Sequence, residues 1–179
     1  PLGGMGVELN ANETNIYNPE LVFGHLLTST NYDDTSIRNV GGRNGYGAKL
    51  TNIYSTYFQV IVHDSINHVK YTQVWEDNMR TCKKASISKY IGKTSKVSVT
   101  FIPDWSKFGM TSMTDDVLKL IEKRTWDSNF CTSSGCSCVF QTTKLPKMNL
   151  EKYTKMYLDN DVSVCVVNTP RWGVVIAPS

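Results

Sequence analysis

The sequence predicts an α+β protein, a layered sandwich in which helices lie on a mixed, mainly antiparallel sheet. Three observations carry this. Segments 58–64 (FQVIVHD), 68–77 (HVKYTQVWED) and 96–104 (KVSVTFIPD) are rich in β-branched and aromatic residues and are bounded by Asn, Asp, Gly and Pro, as strands joined by turns are. Segments 19–27, 48–54, 114–127 and 149–159 carry helical spacing instead. The two kinds of element follow one another without the strand–helix–strand regularity of a parallel sheet.

Each element has its own reason. PELVFGHLL (19–27) has proline near its start and apolar Leu21, Val22, Leu26 and Leu27, so it reads as a short helix. TSTNYDD (28–34) ends it with hydroxyl and Asx side chains that prefer turns. Glycines at 41, 42, 45 and 47 follow, and from Ala48 to Tyr54 a helix sets Leu50, Ile53 and Tyr54 on one side. The three strands turn at DSINH (64–68) and around Gly92. Thr114 is an N-cap for the next helix, with Asp115 and Asp116 well placed against its dipole. SCVFQ (137–141) and VSVCVVN (162–168) are strand candidates on either side of the helical NLEKYTKMYLD (149–159), and RWGVVIAP (171–178) starts a further strand.

A chain of 179 residues makes one domain, or one and part of another, and can bury a real core. Its 40% hydrophobic and 20% charged residues are those of a globular protein, and its +3 net charge permits a nucleic-acid partner without implying one. No apolar run reaches the roughly 18 residues of a membrane span, so no membrane partner is expected. Residues 1–6 show no signal peptide; they read as a leader left by cloning or a native boundary. The five cysteines are an odd number, and the C-x4-C-x-C spacing of Cys131, Cys136 and Cys138 has no nearby histidine to complete a zinc site. Reduced thiols in a polar loop of an intracellular protein are expected.

The stretch GGRNGYGAKLTNIYS (41–55) carries the chemistry: a glycine-rich loop feeding a helix start, with Arg43 and Lys49 at its flanks. Loop amides and a helix N-terminus together attract anions, a phosphate chain above all. A P-loop would need G-x-x-x-x-G-K-[ST]; here Ala48 separates Gly47 from Lys49, and Leu50 stands where the metal-binding hydroxyl should be. A dinucleotide fingerprint reads G-x-G-x-x-G after a strand; here the order is G-x-x-G-x-G after a turn-rich stretch. A ligand-free surface turn, whose glycines only relieve the backbone, and a lid closing over a nucleotide both remain open on composition alone.

PELVFGHLLTSTNYDD (19–34) followed by GGRNGYGAKLTNIYS resembles the ATPase region of eukaryotic type II DNA topoisomerases. That region belongs to the superfamily that also holds gyrase, a heat-shock chaperone, histidine kinases and mismatch-repair ATPases. WEDNM (75–79), VTFIPDWSKFGM (99–110), DDVLKLIEKRTWD (115–127) and KLPKMNLEKYTKMYL (144–158) extend the likeness from about Val7 onward. The resemblance implies a partial Bergerat-type ATPase fold, with residues 7–165 as nucleotide-binding domain and 166–179 as the start of a second, transducer subdomain. It implies that Ser29, Thr30 and Asn31 touch the ribose and phosphates of ATP. Arg43, Asn44, Gly45, Tyr46, Gly47, Ala48 and Lys49 would form the lid around the triphosphate, the glycines at 45 and 47 letting backbone approach closely.

The family's water-activating Glu, its Mg²⁺-holding Asn and its adenine-reading Asp are expected upstream of these residues. No catalytic residue and no metal ligand is therefore assigned here. Glu8 and Asn12 have an E-x-x-x-N spacing but sit in a turn-rich segment. By itself the chain is expected to hydrolyse little ATP and to bind it weakly, at about millimolar or poorer. For the parent the resemblance implies ATP and Mg²⁺ as cofactors, double-stranded DNA as substrate, a homodimer, and nuclear or organellar residence. Two readings of other classes stand beside it: a non-catalytic nucleotide-binding module, and a chaperone- or mismatch-repair-type ATPase, against which NYDD and GGRNGYGAKL argue.

Overall fold

The computed structural model describes residues 4–11, 15–29, 31–33, 35, 42–159, 162–170 and 172–178. It divides into two compact units, Pro1–Thr111 and Ser112–Ser179. The α+β class and the antiparallel sheet are as the sequence predicts.

In the first unit, helices α1 (Asn18–Gly24) and α2 (Gly47–Ile53) precede strands β1 (Ser55–Asp64), β2 (Val69–Glu76), β3 (Thr81–Cys82), β4 (Ser86–Lys89) and β5 (Lys96–Pro103). The sheet runs β3-β2-β1-β5, with β4 also pairing β2, and all its pairings are antiparallel. Period-2 alternation sends Phe58, Val60 and Val62 of β1 and Tyr71 and Trp75 of β2 to one face, where they bury with Val7 and with Phe23 of α1. Phe58 centres this core, its ring 6.1 Å from Phe23 and 5.9 Å from Trp75. Val97, Val99 and Phe101 of β5 sit opposite Val62, Val60 and Phe58 on that face, yet remain 38–46% exposed. Among the described residues no strand pairs with the outer edge of β5.

Asp64 ends β1 and fastens the segment before α1. Its carboxylate accepts from the Val7 and Ile66 amides at 2.9 Å, the Asn67 amide at 3.0 Å and the Asn67 side chain at 2.8 Å. Asp77, Asn78 and Met79 of the WEDNM turn all have positive φ. Asn78 helps hold that turn by donating to the Ile53 carbonyl at 3.0 Å and to Asp104 at 3.1 Å.

The second unit holds α3 (Asp115–Cys131), the β6 (Val139–Phe140)–β7 (Thr143–Lys144) hairpin, α4 (Leu150–Lys155) and the β8 (Cys165–Asn168)–β9 (Gly173–Ile176) hairpin. Thr114 caps α3 by accepting from the Val117 amide at 3.4 Å, the role its sequence position predicts. Lys147 donates to the carbonyls of Asn129 and Thr132 at the far end of α3. Asp127 accepts from Tyr153 at 2.5 Å and from Lys123 at 2.8 Å, and these bonds hold its carboxyl down at about 2. All five cysteines are free.

Three expectations need correction. The first helix stops at Gly24 instead of Leu27; His25 leaves the helical region and Leu27 adopts φ +59. The helix after the glycine loop runs Gly47–Ile53 instead of Ala48–Tyr54; its buried residues are Lys49 and Asn52, while Leu50 and Tyr54 are 46% and 42% exposed. Strands β3 and β4 come from TCKKASISK (81–89), a polar stretch with no strand pattern.

Candidate functional site

Two sequence blocks meet at the end of α1. Asn31 donates its side-chain amide to the Gly42 carbonyl at 2.8 Å, and the Tyr32 hydroxyl donates to the Asn44 carbonyl at 3.3 Å. The Ser29 hydroxyl accepts from the Asn31 amide at 3.1 Å, forming a local turn that presents the pair side by side. The lid backbone therefore lies against the TSTN segment.

Gly45 is the residue on which the blocks close. Its φ of +69 is a left-handed conformation that other residues enter at a cost. A Cβ there would stand 3.3 Å from Lys49 Nζ and 3.4 Å from both the Ser29 amide nitrogen and Ser29 Cβ. Gly42 and Gly47 differ, for a Cβ at either would meet no atom within 4 Å. Gly47 is also the first residue of α2, so no special φ requires glycine there.

Lys49 reaches the same place from α2. It is 3% exposed, and its ammonium donates to Thr28 Oγ1 at 2.6 Å. Among the described residues no carboxylate pairs with it, and burial lowers its affinity for a proton below that of an ordinary lysine. Asn52, one turn on and fully buried, donates to the Phe23 carbonyl at 3.1 Å and so docks α2 on α1. Its Oδ1 has no partner among the described residues.

Of the residues predicted for the site, Ser29, Asn31, Gly45 and Lys49 come together. Arg43, Asn44, Tyr46 and Gly47 are exposed along the lid, Ala48 is half-buried against the core, and Thr30 lies outside the described residues. Asn12 of the Glu8–Asn12 pair lies outside them too; Glu8 is exposed and accepts from Asn67 at 3.1 Å. Sequence reasoning missed Thr28 and Tyr32. Both flank the Ser-Thr-Asn cluster, but neither shows which lid atom it meets until the chain folds back.

A cation beside a glycine-rich loop, with hydroxyl and amide groups near it and no carboxylate among the described residues, is an environment that suits an anion. Phosphate suits the donor set best. Among the described residues no three His, Cys, Asp or Glu side chains gather as a metal site would need. The fold and this cradle describe an α+β domain with an anion-attracting cradle at a glycine-rich loop.

Comparison with known proteins narrows that class. No protein-family profile matches the chain. It is 38% identical over 190 residues to DNA topoisomerase 2 of Penicillium chrysogenum, covering 98% of this chain and 12% of that protein. It is 39% identical over 176 residues to a DNA topoisomerase 2 of Caenorhabditis elegans named as mitochondrial, covering 97% of this chain and 15% of that one. The crystal structure of the ATPase region of Saccharomyces cerevisiae topoisomerase II superposes with a TM-score of 0.90 at 38% identity, over all of this chain and 47% of that one. The chain belongs to the type II DNA topoisomerases and corresponds to part of their ATPase region. It spans only 12–15% of the length of the two sequence relatives.

Proposed function

We propose that this chain supplies the lid side of the ATP site in a type II DNA topoisomerase, an isomerase that passes one DNA duplex through a transient double-strand break in another. The observation that carries the reading is Lys49: a nearly buried ammonium, without a carboxylate among the described residues, enclosed by Gly45 and Ser29. A buried charge without a counterion is costly, and a triphosphate oxygen supplies the missing charge.

In this reading Lys49 donates to the phosphates. Ser29, Thr30 and Asn31 face the ribose and phosphates, and the backbone of residues 43–48 wraps the chain of anionic oxygens. Gly42 and Gly47 support it, because the protein's own packing does not require glycine at either position. Mg²⁺ would arrive with the nucleotide and take its protein ligand from another part of the parent enzyme, since the described residues offer no ligand set. Residues 7–165 would serve as the nucleotide-binding part and 166–179 as the opening of the transducer. The parent would work on double-stranded DNA as a homodimer. Its residence would be nuclear or organellar, the latter supported by a relative named as mitochondrial. No helix among the described residues is long and apolar enough to cross a membrane.

The test is Lys49→Ala in the full-length enzyme. A hydrogen bond to a charged group contributes about 1.5–3 kcal/mol, so affinity for a non-hydrolysable ATP analogue should fall about 10- to 100-fold. ATP-dependent strand passage should fall with it while ATP-independent DNA cleavage persists. Equal loss of cleavage and passage would indicate misfolding; unchanged analogue affinity in a folded Lys49→Ala enzyme would sink the assignment.

A further inference from the structure

The Ser-Thr-Asn cluster is preceded by a hydroxyl with a different job. Thr28 Oγ1 accepts the Lys49 ammonium at 2.6 Å and lies 3.3 Å from the carbonyl oxygens of both Leu21 and His25 at the end of α1. A hydroxyl has one proton and two lone pairs. With two carbonyls within reach on one side and a cation on the other, the proton goes to a carbonyl and a lone pair faces Lys49. Thr28 therefore has no proton left for a phosphate. Ser29 is the opposite case, for its oxygen accepts from the Asn31 amide while its own proton has no recorded acceptor among the described residues.

We propose that Thr28 is a positioning residue: it does not touch the nucleotide but anchors the Lys49 ammonium at the lid, using the carbonyl end of α1 to orient its own hydroxyl. The proposal rests on the ATP reading only for what Lys49 is positioned to meet. Lys49 has three N–H donors. One is spent on Thr28, and the rest have no acceptor among the described residues, although the side chain is 3% exposed. Without the Thr28 oxygen the long flexible side chain would lose its one hydrogen bond among the described residues and leave the cradle beside Gly45 and Ser29. The geometry separates two roles that adjacent hydroxyls would otherwise share: Ser29 acts on the ligand directly, Thr28 through Lys49.

The experiment is a double-mutant cycle in the full-length enzyme, read as the dissociation constant of a non-hydrolysable ATP analogue. Thr28→Val keeps the shape and removes the acceptor; it should weaken binding about tenfold, the scale of a charged hydrogen bond. Thr28→Ser should restore binding to within about twofold of wild type, which a packing role for the Thr methyl would not do. In a Lys49→Ala background Thr28→Val should change affinity by less than about twofold. An undiminished tenfold effect in that background, or no rescue by serine, overturns the proposal. A second measurement needs no nucleotide: the rate at which acetic anhydride modifies Lys49, read by mass spectrometry. Thr28→Val should change that rate at least about threefold and Thr28→Ser should not. If the rate responds so but wild type binds no ATP analogue, the tether stands and the ATP reading falls. An unchanged rate in Thr28→Val shows that Thr28 does not hold Lys49.

Discussion

Replacing Gly45 and Gly47 by alanine, one at a time, should weaken nucleotide binding for two different reasons while leaving the core intact. At Gly45 the backbone has φ +69, and alanine in the left-handed region costs about 1–2 kcal/mol. The added Cβ would also press on Lys49 Nζ at 3.3 Å, the movable tip of a side chain, and on the fixed Ser29 amide at 3.4 Å, an ordinary contact. The backbone term dominates. It falls on the docking of the lid and spares the core, because Gly45 lies outside the Phe58 cluster; local opening and global unfolding are separate equilibria. Tm should therefore move little, while Kd for an ATP analogue rises about 5- to 30-fold, since every 1.4 kcal/mol is a factor of ten. At Gly47 a Cβ meets no atom within 4 Å and the residue is helical. Alanine there should leave stability unchanged or raise it by up to about 1 kcal/mol. Its Kd should still rise if the triphosphate passes close to that backbone. The assay is thermal unfolding and analogue titration on the same three proteins. A Gly47→Ala protein that loses more than about 1 kcal/mol, or a Gly45→Ala protein that binds as wild type, refutes the division between a glycine that docking of the loop needs and a glycine that only the ligand needs.

Two further outcomes concern the scaffold. Burial would raise the Asp64 carboxyl, but the hydrogen bonds from Asn67, Val7 and Ile66 outweigh it and hold the group below its ordinary 3.8. A depressed folded value means the stabilisation is present above the unfolded pKa and is lost as pH falls through the folded one. The Tm gap between wild type and Asp64→Asn should therefore be widest above pH 5 and shrink below about pH 4; a gap independent of pH would show that the charge contributes nothing. Phe58→Ala empties the centre of the core, where Phe23, Trp75 and Phe101 all meet the ring. It should cost about 3–5 kcal/mol, read as a lower denaturant midpoint at unchanged m-value, and a loss under 1 kcal/mol would mean the core is not where we place it.

The long strands were legible in the sequence because alternation is what burying one face of a sheet demands. Phe58, Val60 and Val62 announce both the strand and its inward side. Strands β3 and β4 were not, because their residues are exposed and packing places no demand on which side chains they carry. Helix α2 was found, but which of its faces turns inward was not legible, for a related reason. Hydrophobic periodicity assumes that the inward face is apolar, and here that face carries Lys49 and Asn52, which dock on α1 and serve the cradle. The polar inward face coincides with the candidate site, where local rules are expected to fail. The glycine lid was readable from spacing; its fastening to Asn31 and Tyr32 depends on a chain reversal that no spacing records.

The outer edge of β5, which pairs with no strand among the described residues, bears on how the chain behaves in a tube. The eight residues of β5 pair with β1 on one side only among the described residues, and that free side, beside exposed Val97, Val99 and Phe101, is a template for a strand from another molecule. A net charge of +3 supplies little long-range repulsion to keep two such edges apart. Such an edge favours association between copies, and raising salt, which screens the remaining repulsion, should lower the concentration at which the polypeptide stays monodisperse.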